Sequence, residues 1–88
     1  MSSGAALPPG RGVSEHTRDA GDLGCGDGLA AWFRTQLRDL PAGDTLHSIV
    51  RDPVAREEIP ALARLMGHTF KSIEAGEGCF VITVEKTK

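Results

Sequence analysis

The sequence predicts an α+β two-layer sandwich: β-α-β-α-β-β, one mixed four-stranded sheet covered on one face by two helices. Three observations predict it. Two segments space their apolar residues as an amphipathic helix does, and both are closed by Pro or Gly signals. Short runs rich in β-branched and apolar residues alternate with them, the last two as a hairpin. The chain has 88 residues, room for one small domain. Two amphipathic helices need an apolar sheet face to cover, and the β-α-β crossover is expected to be right-handed.

Residues 1–14 are mostly Gly, Ser, Ala and Pro, with little to bury, and are expected to form a flexible tail. Residues 15–88 are read as a single domain. The first strand is placed at 17–20, where Gly21 and Gly24 limit it. In "DGLAAWFRTQLRDL", Leu29, Trp32, Phe33, Leu37 and Leu40 form one face of a helix, and Arg34, Gln36, Arg38 and Asp39 the other. Asp27 is its expected N-cap, and Pro41 with Gly43 ends it. "TLHSIVR", 45–51, reads as a strand burying Leu46, Ile49 and Val50. Asp52 and Pro53 signal a second helix start. Pro60 predicts a break there, with an initial turn at 53–58 and the main helix over 58–66, burying Ile59, Leu62, Ala63 and Met66. Gly67 is its expected C′ residue. "HTFKSIEA" and "CFVITVEK" flank a "GEG" turn, and Phe80, Ile82 and Val84 alternate on one face.

Ten Lys and Arg against twelve Asp and Glu leave a net charge of −2. That balance lacks the basic stripe of a nucleic-acid binder, so no direct nucleic-acid contact is expected. No apolar run is long enough to span a bilayer. "MSSGAALPPGRG" has neither the charged nor the apolar region of a secretory signal, so a cytoplasmic, monomeric protein is expected, its two cysteines as thiols.

The segment "DLGCGDGLAAW" holds the most informative residue. Cys25 lies between Gly24 and Gly26, ahead of Asp27, Gly28 and the first helix. Glycine neighbours leave a sulfur open to a partner. A helix N-terminus favours the thiolate by about 0.3–1 kcal/mol in exposed settings, while the Asp27 carboxylate opposes it. The two effects offset, and a thiol near the free pKa of ~8.5 is expected. Spacing alone equally allows a small loop residue with no chemistry.

Other residues carry weaker signals. Cys79 opens the last strand and reads as packing. His16, His47 and His68 fall in three separate elements, with no metal-ligand spacing, so no metal site is expected. Arg34, Arg38, Arg51, Arg56 and Arg64 suit either a docking surface or solvated faces. "GDLGCGDG" lacks the Lys and Ser/Thr of a phosphate-binding loop.

"HTRDAGDLGCGDGL", "LPAGD", "DP…IP" and "GH" before the hairpin together resemble the TusA/SirA-type sulfur-carrier family, over residues 16–86. The resemblance implies that Cys25 accepts persulfide sulfur from a donor protein such as a cysteine desulfurase. It would then pass the sulfur to a protein acceptor, in tRNA thiolation or another sulfur route. No cofactor is implied, because the sulfur arrives covalently, and without an evident general base the chain reads as a relay subunit. The family signature is Cys-Pro-x-Pro; here it is Cys25-Gly26-Asp27-Gly28. Glycine does not fix φ as proline does, so a looser loop is expected. Two further readings remain: a regulatory or binding module of the same fold that has lost sulfur transfer, and redox sensing through Cys25.

Overall fold

The computed structural model describes residues 14–87. The expected tail, 1–14, lies outside them except for Ser14. The elements are β1 (Glu15–Asp19), a 3-10 turn (Cys25–Asp27), α1 (Leu29–Arg38), β2 (Thr45–Val50), α2 (Ala55–Leu65), β3 (Thr69–Gly76) and β4 (Cys79–Glu85). The sheet order is β1-β2-β4-β3. β1 runs parallel to β2, and β4 runs antiparallel to both β2 and β3. The fold is the predicted mixed four-stranded α+β sandwich.

The core lies between the helices and one sheet face. Leu29, Phe33 and Leu37 of α1 meet Leu46 and Val50 of β2, Ile82 and Val84 of β4, and Ala55, Ile59 and Ala63 of α2. Side chains alternate across a strand, so parity rather than hydrophobicity decides which residues of β2 are buried. Leu46, Ser48 and Val50 face the helices, and Ile49 lies on the other face, half-buried. This corrects the burial expected for Ile49. Ser48 is fully enclosed, and its Oγ has no hydrogen-bond partner among the described residues.

One helix and one strand also differ from the sequence reading. α2 runs unbroken through Pro60. Proline removes one N–H from the ladder, but Ala55, Ile59 and Ala63 lie on both sides of it with at most 1% exposure. A break at Pro60 would split that stripe, and its burial outweighs one missing bond. At the far end, His68 N–H donates to Ala63 O (2.8 Å) and Gly67 N–H to Arg64 O (3.0 Å). These are the two bonds of a Schellman motif, with Gly67 at C′ as expected. β1 begins two residues earlier than expected and contains no large apolar residue. Pairing with β2, from Glu15↔Thr45 to Asp19↔Ile49, makes it a strand.

Candidate functional site

Cys25 lies in the loop joining the C-terminal end of β1 to α1. The neighbouring β2–α2 loop ties this segment down. Arg51 Nη1 and Nη2 donate to the two Asp19 carboxylate oxygens at 2.6 and 3.2 Å, and Nη1 also reaches Gly21 O at 3.1 Å. Gly21 N–H donates to Asp19 Oδ1 at 2.7 Å. The Arg51 hydrogen bonds, and then the Gly21 N–H, hold the Asp19 carboxyl below its ordinary pKa; Asp19 in turn raises that of Arg51. Ala20 N–H extends the β1–β2 ladder to Ile49 O at 2.9 Å. The loop thus leaves the sheet from a fixed point.

Its second half closes on itself. Asp27 N–H and Leu29 N–H both donate to Gly24 O, at 2.9 and 3.3 Å. The Asp27 carboxylate accepts the Gly24 N–H at 3.3 Å. Asp27 is therefore not the N-cap of α1, as the sequence suggested. The cap is Gly28, at φ 95° and ψ 18°, which supplies no side-chain bond. The reason is the interposed 3-10 turn: it turns Asp27 back towards Gly24 and separates Cys25 from the first turn of α1. A helix dipole acts mainly within its own terminal turn.

The glycines of the segment are not equivalent. A Cβ on Gly24 would lie 2.9 Å from Asp52 Oδ2, so this position is filled by the approach of the β2–α2 loop. Asp52 Oδ1 also accepts the Val54 N–H at 2.9 Å, which starts the turn into α2. Gly28 has room for a side chain but a backbone conformation that excludes one at low energy. A Cβ on Gly26 meets nothing within 4 Å. The first proline position of the Cys-Pro-x-Pro signature thus has room for a Cβ. The second is closed to proline, whose φ is near −65°.

The other sequence candidates lie apart from this loop or have structural partners. Cys79 is half-buried as the first residue of β4, paired with Gly76, where an added Cβ would come within 3.2 Å of its Sγ. It packs against a bare backbone at the same end of the sheet as the Cys25 loop. His16 Nε2 bonds Asp44 Oδ2 at 2.9 Å, and His47 bridges Thr83 Oγ1 (2.9 Å) and Glu15 Oε1 (2.7 Å) across the sheet. His68 Nδ1 accepts the Thr87 N–H at 3.2 Å. Among the described residues, no group of three or more His, Cys, Asp or Glu is placed to hold a metal ion. The arginines divide: Arg51 binds Asp19, Arg56 lies over Phe80 (5.3 Å), and Arg64 over Phe70 (5.5 Å). The sequence reading missed Arg51 as the residue that ties down the start of the cysteine loop, and Asp52 as the side chain that takes up the space beside Gly24. Their one signal was position, directly after a strand and before a helix start.

The fold is a small α+β sandwich in which a helix joins the parallel pair β1–β2 and a cysteine sits in the loop at the carboxyl edge of the first strand. Residues 33–86 match the family model described as sulfurtransferase TusA, more than half of the chain, and the chain belongs to that family. It is similar to the sulfur carrier protein TusA of Pseudomonas savastanoi pv. phaseolicola (strain 1448A / Race 6), 39% identical over 51 residues. The same identity and span hold for the sulfur carrier protein TusA of Pseudomonas syringae pv. syringae (strain B728a). Each alignment covers 58% of this chain and 61% of the relative, so the chain spans about three fifths of the length of these curated relatives. The family match begins at Phe33, C-terminal to the Cys25 loop. Among the described residues, no helix is long and apolar enough to cross a membrane.

Proposed function

We propose that this chain is a small sulfur carrier whose Cys25 accepts persulfide sulfur from a donor protein and relays it to an acceptor protein. The observation that carries this reading is membership of the TusA family together with the place of Cys25 in the β1–α1 loop. The Cys25 thiolate attacks the terminal sulfur of the donor's persulfide. A new S–S bond forms at Cys25, the donor S–S bond breaks, and the donor leaves as a thiolate. The exchange needs no external oxidant or reductant and no resident cofactor. Gly26 adds no side chain on an open side of the loop, and Arg51 ties the start of the loop to the neighbouring β2–α2 connection. Residues 15–88 act as one monomeric carrier domain in the cytoplasm, with a cysteine desulfurase as the natural class of donor.

Intact and peptide masses after incubation with a cysteine desulfurase and free cysteine test the proposal. The expected result is one added sulfur atom on the Cys25 peptide, removed by a thiol reductant. Cys25→Ser abolishes the addition and Cys79→Ser does not. Failure to load from several donors, with Cys25 resistant to alkylation in the folded protein, would overturn it. A specific observation favours a second reading in that event. Both signature prolines are absent and the family match starts beyond the loop, which fits a binding or regulatory module that retains the fold without the transfer step.

A further inference from the structure

At the end of the sheet opposite the Cys25 loop, an open cavity of about 420 Å³ is lined by Arg34, Arg38, Met66, His68 and Lys86. Among the described residues no carboxylate lines it, although the chain as a whole is net negative. Arg34 and Arg38 stand one turn apart on α1, so their side chains project from the same face. Both residues are exposed, and among the described residues neither guanidinium has an ion-pair or hydrogen-bond partner. They differ in this from Arg51, Arg56 and Arg64, which have a carboxylate or an aromatic ring each. The Lys86 ammonium is anchored instead of mobile: it donates to Leu40 O at 2.6 Å and Arg38 O at 3.3 Å, the carbonyls at the end of α1. An ammonium has three donors, so one is left over.

We propose that this cavity binds a small phosphate-class oxyanion, a phosphate monoester or pyrophosphate. Two exposed guanidinium forks from α1 and the anchored ammonium just past the end of β4 bring three positive charges to one cavity. Guanidinium forks match the paired oxygens of phosphate, and a dianion has acceptors on several sides to meet all three groups. The volume exceeds that of one tetrahedral anion and leaves room for a short substituent against the Met66 side chain. Three local cations on a chain of net charge −2 do not make the continuous track that a nucleic-acid backbone needs. The site is independent of Cys25, and its test does not depend on sulfur loading.

A ¹H–¹⁵N titration of the full chain with inorganic phosphate and with pyrophosphate, at ionic strength held constant with sodium chloride, tests the proposal. Saturable shifts are expected at the amides of Arg34, Arg38, Met66 and Lys86, with pyrophosphate binding more tightly than phosphate. Arg34→Gln combined with Arg38→Gln should weaken pyrophosphate binding at least tenfold. Both side chains are exposed, and an unchanged thermal midpoint confirms that the variant is folded. Equal shifts with chloride alone, no saturation, or unchanged affinity in the double variant would overturn the proposal and leave α1 with an ordinary solvated face.

Discussion

Gly28 decides how much of the Cys-Pro-x-Pro signature this chain can regain. Its φ of 95° lies outside the range of proline and costs other L-residues about 1–2 kcal/mol. Gly28→Ala should therefore lower stability by about that amount in urea denaturation, and Gly28→Pro by more. Gly26→Ala meets no neighbour, and the same measurement should place it within about 0.5 kcal/mol of the parent. If Gly28→Pro is as stable as the parent, the loop can adopt another backbone path. Ser48 makes a second residue-scale case. A buried hydroxyl without a partner costs on the order of 1–3 kcal/mol in protein mutational data. Ser48→Ala keeps the small volume and removes the hydroxyl, so the urea midpoint should rise, by about 1 kcal/mol in stability. A fall would reveal a bond made by Ser48 in solution.

At the scale of elements, α2 shows what holds a helix with proline in its middle. Its buried stripe is Ala55, Ile59, Pro60 and Ala63, whereas Leu65 is 83% exposed. Ile59→Ala should cost about 2–5 kcal/mol, because it removes enclosed methyl groups and leaves a cavity. Leu65→Ala, an equally apolar change on the same helix, should cost less than about 0.5 kcal/mol. Similar costs for the two would mean that α2 sits in a different rotation on the sheet. The β1–β2 pair is built differently. β1 is exposed along most of its length and depends on its backbone ladder and on the bonds from Arg51 and His47 to its Asp19 and Glu15 side chains.

For the whole molecule, the Asp19–Arg51 pair makes a signed prediction about pH. Asp19 has a lower carboxyl pKa in the folded state than in the unfolded chain. Its contribution to stability is therefore complete above the unfolded value, about 3.9, and is lost as pH falls through the folded value. Asp19→Asn should lower the urea midpoint at neutral pH, with the gap to the parent closing in acid. Both partners are exposed, so added salt should shrink the gap as well. A gap that persists unchanged at low pH would assign the effect of Asn to packing. Because Arg51 also bonds Gly21 O, the Asp19 variant should make Cys25 easier to alkylate at neutral pH. Alkylation rates of parent and variant measure that coupling between the pair and the cysteine loop.

The sequence by itself determined the order of elements, both helix faces, the hairpin and the Gly67 cap, because each depends on residues within a few positions of one another. It also marked Cys25, through its glycine neighbours and the helix that follows. Only the tertiary structure decided the rest. Ile49, expected in the core, lies on the other face, and Ser48 is enclosed, because the pleat assigns faces by parity. α2 stayed whole because packing on both sides of Pro60 exceeded one lost hydrogen bond. β1 became a strand because β2 offered it an edge to pair with. Asp27 turned away from α1 because a 3-10 turn came between them. Arg51, Asp52 and Gly24 came together across about 30 residues of chain, a separation that local pattern does not encode and that only a folded sheet, with its two loops at one edge, brings into contact.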